Sequence, residues 1–216
     1  MHAEARRHTR AVLLDALGTL VELEPPASHL AEALGIEPDE RLVRAFRAEM
    51  SYYRDHAQEG RDESSLADLR RRCAAVLSRE LGSEVPVEAL MASIRFRAFD
   101  DVTPTLEGLR GRGLRLVCVS NWDYALRSVL NRVGVGHLLD GVVTSAGVGA
   151  RKPDPEIFRA GLEVAGCDAG EALHVGDSSE EDVGGASAVG IRALLLDRSG
   201  GGDISSLAEL PRTLGI

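Results

Sequence analysis

Asp15, Ser120, Lys152 and Asp177 each stand at or soon after the end of a short apolar run, the place where parallel strands present their chemistry. Asp15 follows Ala11 to Leu14, and Ser120-Asn121 follows Leu114 to Val119. Arg151-Lys152-Pro153 comes after Gly141 to Thr144, and Gly176-Asp177 closes Ala172 to Val175, with Asp182 five residues beyond Asp177. A carboxylate held rigidly at a strand end acts as a nucleophile that splits a hard hydrolysis into two easier displacements, and Asp15 fits that role. Asp15 and Asp177 offer oxygens to a hard cation, with the main-chain carbonyl of Leu17 as a third ligand and Asp182 bound directly or through a water. Mg2+ there would cancel charge on a transferring phosphoryl group and keep the acids from repelling each other. Ser120 would donate to a substrate oxygen, with the Asn121 amide beside it. Of the 25 basic residues 24 are arginine, and the one lysine, Lys152, falls where a compact ammonium pairs best with Asp15 and with transferring charge.

These residues need a scaffold of strands whose carboxyl ends meet. Five apolar runs without polar alternation, Ala11 to Leu14, Leu114 to Val119, Gly141 to Thr144, Ala172 to Val175 and Ile191 to Leu196, read as parallel strands covered on both faces. Helical patterns at Thr105 to Arg112, Tyr124 to Val133, Pro155 to Ala165 and Glu180 to Val189 alternate with them, which predicts an α/β fold with a doubly wound parallel sheet. Glu180 and Glu181 read as the first turn of the last of these helices, where negative charge suits the dipole.

Between Pro25 and Phe99 the rhythm breaks. No strand-like run occurs, and three apolar stripes at helical spacing appear: Leu42, Phe46, Met50 and Tyr53; Leu66, Leu69, Cys73, Val76 and Leu77; Val87, Leu90, Ile94 and Ala98. The expectation is an all-helical domain over 25–99 inserted into a Rossmann-like core of 10–24 and 100–216, with hinges at Pro25-Pro26 and around Asp100 to Pro104.

Composition limits the function classes. With 44% hydrophobic and 27% charged residues the chain is globular, and no apolar run approaches the roughly 18 residues that cross a bilayer. The N-terminal MHAEARRHTR lacks the pattern of a secretory signal, so the cytoplasm is expected. Cys73, Cys118 and Cys167 are odd in number and widely spaced, as buried small hydrophobes would be. A net charge of −9 argues against nonspecific nucleic-acid binding. A small-molecule substrate is expected, and the oligomeric state is left open.

Four segments taken in order, Asp15-x-Leu17-Gly18-Thr19-Leu20, Ser120-Asn121, Lys152-Pro153 and Gly176-Asp177-x4-Asp182, resemble the four motifs of the haloacid dehalogenase-like hydrolase superfamily. The resemblance covers the whole chain and implies a catalytic set of Asp15, Thr19, Ser120, Asn121 and Lys152, a Mg2+ site at Asp15, Leu17, Asp177 and Asp182, and a helical cap. It also exposes a departure, because the family's phosphatases usually carry a second aspartate where this chain has Leu17, and that acid protonates the leaving group. A general acid and base is worth about 10² to 10⁴ in rate. Three readings follow: phosphoryl transfer from a substrate with a good leaving group, with Asp123 as a stand-in acid; dehalogenation of a 2-haloacid, with Arg44 or Arg47 holding its carboxylate; or a binding or regulatory protein without turnover. Substrate recognition is expected in the cap, at Arg47 and at the cluster of Tyr52, Tyr53, Arg54 and His56 near the end of its first long helix.

Overall fold

The computed structural model describes residues 8–216, so most of the N-terminal segment considered above as a leader lies outside the described residues. The strands are β1 (Ala11–Leu14), β2 (Val21–Leu23), β3 (Phe96–Ala98), β4 (Arg115–Ser120), β5 (Gly141–Thr144), β6 (Ala172–Gly176) and β7 (Arg192–Leu195). Five of them form a parallel sheet in the order β5-β4-β1-β6-β7. Side chains alternate across the pleat. Val12 and Leu14 join Leu116, Cys118, Leu173 and Val175 in one core, while Ala11 and Leu13 join Val117, Val119 and Ala172 in the other. Both faces are therefore apolar, which explains why the runs lack alternation.

The helices are α1 (Pro26–Leu34), α2 (Glu40–His56), α3 (Glu63–Leu81), α4 (Val87–Ser93), α5 (Val102–Gly111), α6 (Leu126–Arg132), α7 (Ser145–Val148), α8 (Pro155–Ala165), α9 (Gly185–Ala188) and α10 (Leu210–Leu214). The first core takes Leu106 and Leu109 from α5, Leu126 and Leu130 from α6 and Leu210 from α10. The second takes Ile157 and Phe158 from α8 and Ala186 from α9. The chain builds outward from β1 to β5 on one side and from β6 to β7 on the other, so the strand order reverses beside β1, where such sheets bind ligands.

Helices α1 to α4 pack around a third core of their own, with Leu30, Leu42, Phe46, Leu69, Cys73, Leu77 and Leu90 at its centre. Asp39 and Asp62 start α2 and α3 by accepting from the main-chain N–H of Leu42 and Ser65. The third predicted stripe does not run through as a helix. It stops at Ser93, Ile94 is extended, and β3 pairs antiparallel with β2, so the expectation of a strand-free insertion is corrected. The outgoing and returning chains lie side by side and satisfy each other's backbone groups, and Arg97 forms an ion pair with Glu22 directly across the ribbon. The connection is thus a two-stranded ribbon, and not two separate loops.

The helix expected from Glu180 opens with a wide π-helical turn, Ser179–Gly184, before α9. All three cysteines are unpaired, Cys73 and Cys118 buried. Among the described residues no helix is long and apolar enough to cross a membrane.

Glu49 is the anomaly of the helical core. It lies on the buried stripe of α2 at 2% exposure, and its Oε2 has no hydrogen-bond partner among the described residues. Burial pushes its carboxyl up to about 7, with a hydrogen bond from the Cys73 thiol offsetting part of the rise. The unfolded chain releases this proton near the ordinary value of 4.5, whereas the folded chain keeps it to about 7, so folding takes up a proton in between. Stability therefore falls as pH rises through that window, by an amount on the order of 3 kcal/mol. Urea unfolding of wild type and Glu49→Gln at pH 5 and pH 8 checks this: the variant gains on wild type at pH 8, and an equal difference at both pH values would refute it.

Candidate active site

The carboxyl ends of β1, β4 and β6 bring the separated motifs together. Asp15 leaves β1 with its main-chain N–H donating to the Val175 carbonyl at 2.9 Å, which locks the nucleophile candidate to β6. Ser120, the last residue of β4, donates from Oγ to Asp15 Oδ1 at 2.9 Å. Lys152 Nζ reaches the same oxygen at 2.6 Å and Asp182 Oδ1 at 2.6 Å. The ammonium is 2% exposed. Burial alone would push its pKa down, but the charges of Asp15 and Asp182 outweigh it and hold the lysine protonated.

Asp182 is the anchor of this cluster. It also sits 2.8 Å from His174 Nε2 and accepts from the Ser178 N–H on Oδ2 at 3.1 Å. Burial would raise its carboxyl, yet the hydrogen bond from His174 and the charge of Lys152 keep it well below the usual carboxylate range. His174 projects from the middle of β6 and packs edge-on against Phe158, with Nδ1 unpartnered among the described residues. The proton is accordingly assigned to Nε2, facing the carboxylate. Gly176 is required here, because any Cβ would overlap the Asp182 carboxylate.

Asn121 lines the cleft with its amide already engaged. Its Oδ1 accepts from the Lys152 N–H at 2.7 Å, and its Nδ2 donates to the Lys152 carbonyl at 3.1 Å and to Glu181 Oε2 at 3.0 Å. It clamps the lysine's backbone and so acts as a positioning residue. Glu181, set aside as an ordinary first-turn acid, also accepts from Arg151, which in turn donates to the Arg54 carbonyl of α2. The π-helical turn brings Glu181 and Asp182 to the cleft together, a placement that α-helical spacing does not suggest.

Asp15, Asp177 and Asp182 have carboxylate oxygens within 4.8 Å of one another. Asp177 as a residue is exposed, but desolvation at the cleft, with the charges of Asp15 and Asp182 adding, pushes its carboxyl up to about 6. Asp15 is raised as well, chiefly by burial against the opposing pull of Lys152. Such a surplus of oxygen-borne negative charge suits a hard divalent cation. Gly18, at φ +84°, leaves room for Asp177, whose carboxylate any Cβ there would overlap. Leu17 is half-buried and lines the cleft.

Of the other expected residues, Tyr53, Arg54 and Asp123 line the cleft and Thr19, Arg47 and Tyr52 do not. Thr19 is fully buried, is not among the residues lining the cleft, and its hydroxyl has no partner among the described residues. The loop is braced instead by Arg198, which donates to the carbonyls of Gly18 and Thr19 and pairs with Asp101. On α2, Tyr53 reaches the cleft and its hydroxyl donates to Asp123 Oδ2 at 2.8 Å. Tyr52 turns away, stacked on His56 and accepting from Arg72. Arg47 is solvent-exposed, because it sits roughly 140° around the helix from Leu42 at about 100° per residue. Asp123 lines the cleft with both oxygens engaged, by Tyr53 and by the Ala125 N–H, so it ties the helical unit to the sheet. His174 and Glu49 escaped the sequence, although a histidine inside an apolar strand and a glutamate on an apolar helical stripe were visible signals.

Removing Asp182 leaves a buried ammonium short of one of its two counter-charges and a buried histidine unpaired. Asp182→Ala is expected to lower unfolding stability by about 3 to 5 kcal/mol in urea titrations. A loss below about 1 kcal/mol would show that Asp182 does not hold this cluster together.

Comparisons with known proteins agree with this architecture. The profile of the haloacid dehalogenase-like hydrolases matches residues 9–190. A phosphatase of this superfamily from Thermococcus onnurineus aligns over 96% of this chain and 98% of its own, at 30% identity and a TM-score of 0.69. The L-2-haloacid dehalogenase of Xanthobacter autotrophicus, 22% identical with a TM-score of 0.74 over 96% of this chain and 98% of its own, shares the fold. The haloacid dehalogenase-like hydrolase domain-containing protein 3 of Mus musculus is 39% identical over 109 residues, which span 50% of this chain and 43% of that protein. The aligned part is thus less than half of that relative's length. Since the profile runs through every strand end that contributes to the cleft, from Asp15 to Asp182, the chain belongs to the haloacid dehalogenase-like hydrolase family.

Proposed function

We propose that this hydrolase cleaves a small phosphorylated molecule with a good leaving group, using Asp15 as nucleophile and Mg2+ as cofactor beneath a cap formed by the helical unit. The observation that carries the reading is the charge arrangement around Asp15: one ammonium and three carboxylates whose oxygens lie within 4.8 Å of one another. Lys152 and Ser120 both donate to Oδ1, which leaves Oδ2 to attack. The Oδ2–phosphorus bond forms as the ester oxygen–phosphorus bond breaks, and the leaving oxygen departs with the electron pair. Water then attacks phosphorus, the Oδ2–phosphorus bond breaks with its electron pair restoring the Asp15 carboxylate, and both of water's protons leave on the product as dihydrogen phosphate. Lys152 stabilises the charge on the transferring group, and Asp182 with His174 keeps the lysine in place. Mg2+, held by Asp15, Asp177 and the Leu17 carbonyl with Asp182 beside it, would supply charge neutralisation at the phosphoryl oxygens.

Leu17 has no proton to give, so the leaving oxygen must be stable as an anion, as aryl and acyl phosphates provide. The same leucine supports a second reading, dehalogenation, because a halide also leaves without a proton. Asp177 weighs against it, since a metal-free displacement has no use for a third acid at the nucleophile.

Asp15→Asn should lower phosphate release by more than about a thousandfold while the protein stays folded. EDTA should silence the wild type, and halide release from a 2-haloacid that persists in EDTA would instead establish the second reading. Leu17→Asp should speed hydrolysis of alkyl phosphates by about 10²-fold relative to aryl phosphates. A uniform effect across leaving groups, measured by phosphate release over an ester series, would contradict this account of Leu17.

A further inference from the structure

The cleft has two unlike halves. The strand-end half holds the acids, Ser120 and Lys152. The other half is walled by Met50, Leu66, Leu69, Leu90, Met91 and Ile94 of the helical unit. The cavity encloses about 740 Å³, within the range of sites that bury drug-sized ligands and far more than a phosphoryl group fills. Leu17 and Trp122 extend the apolar lining toward the nucleophile, so a leaving group bonded to phosphorus would pass directly from the charged half to the apolar half.

The helical unit also brings Tyr53, Arg54, Arg70, Cys73 and Glu49 to this lining, and their bonding differs. Tyr53 and Asp123 satisfy each other. Glu49 also lines this cavity, and its Oε2 has no partner among the described residues although the residue is 2% exposed. A buried oxygen without a donor is costly, and buried polar groups are otherwise almost always paired. A substrate that brings a donor to this wall would remove that cost at the moment of binding.

Resting on the phosphoryl-transfer reading above, we propose that the helical half of the cavity is a chamber for a bulky, largely apolar leaving group, such as an aryl ring, that carries a hydrogen-bond donor at its far end, and that Glu49 accepts from that donor. Glu49 is then a specificity residue, separate from the groups that move the phosphoryl group.

The test pairs turnover with binding. Phenyl phosphate, 4-aminophenyl phosphate, 4-methylphenyl phosphate and glycerol 3-phosphate are hydrolysed by the full chain with Mg2+, and binding of the same four esters to Asp15→Asn is measured by calorimetry. The expected KM and Kd are at least about tenfold lower for the aryl esters than for glycerol phosphate, because the ring leaves water on binding. The amino ester should bind about tenfold more tightly than the methyl ester of nearly the same shape, the worth of one well-placed buried hydrogen bond. Glu49→Leu should erase the amino preference while keeping the preference for aryl over glycerol, and Glu49→Gln, which keeps an acceptor oxygen, should retain part of it. Equal affinity for aryl and glycerol esters, or an amino preference that survives Glu49→Leu, overturns the inference. If the aryl esters bind Asp15→Asn in the expected order but the wild type releases phosphate from none of them, the chamber stands and the phosphatase reading falls.

Discussion

The Lys152 ammonium, buried between Asp15 and Asp182, is the interaction on which the rest of the site depends. A lone ammonium in that position would be far too costly to keep charged, and two carboxylates there would repel each other without it. Each partner is tolerable only because the other two are present. The surrounding structure holds that geometry: β1 is locked to β6 through the Asp15 N–H, Asn121 clamps both sides of the Lys152 peptide backbone, and His174 with the Ser178 N–H fixes Asp182. Gly176 is part of the same constraint, since a side chain there would displace the carboxylate that pairs the lysine.

From this fixed point the charge balance of the cleft follows. One ammonium does not neutralise three acids, and burial, with neighbouring carboxylates adding, holds the carboxyls of Asp15 and Asp177 raised. An oxygen cluster in that state is suited to a divalent cation, and the same charges would favour an anionic substrate only once the excess is cancelled. Leu17 lines the same cleft with an apolar side chain that has no proton to give, so under the proposed reaction the leaving group must rely on its own stability.

The helical unit contributes the opposite wall through a core of its own, joined to the sheet by a two-stranded ribbon and by the Tyr53–Asp123 and Arg151–Arg54 contacts. One of these contacts, Arg151–Arg54, touches the site's supporting network. Arg151 pairs with Glu181, which bonds Asn121, which holds Lys152. The position of the helices is therefore linked by a continuous hydrogen-bonded chain to the lysine that pairs with Asp15.

Much of this was legible in the chain itself. Strands buried on both faces must be apolar throughout, so the five runs marked the sheet, and polar residues at their ends marked the cleft, including the single lysine. The departure at Leu17 was equally plain, because it concerns residue type alone. Folding decided what depends on which groups meet: that Asn121 serves the Lys152 backbone, that His174 supports Asp182, that Glu181 belongs to the site, and that Arg47 and Tyr52 face away from it. The β2–β3 ribbon was hidden for the same reason, since two three-residue strands gain their hydrogen bonds only from each other across more than seventy residues of chain. Periodicity records which side of an element is buried, whereas the partner of a buried polar atom is fixed only when distant segments are packed together.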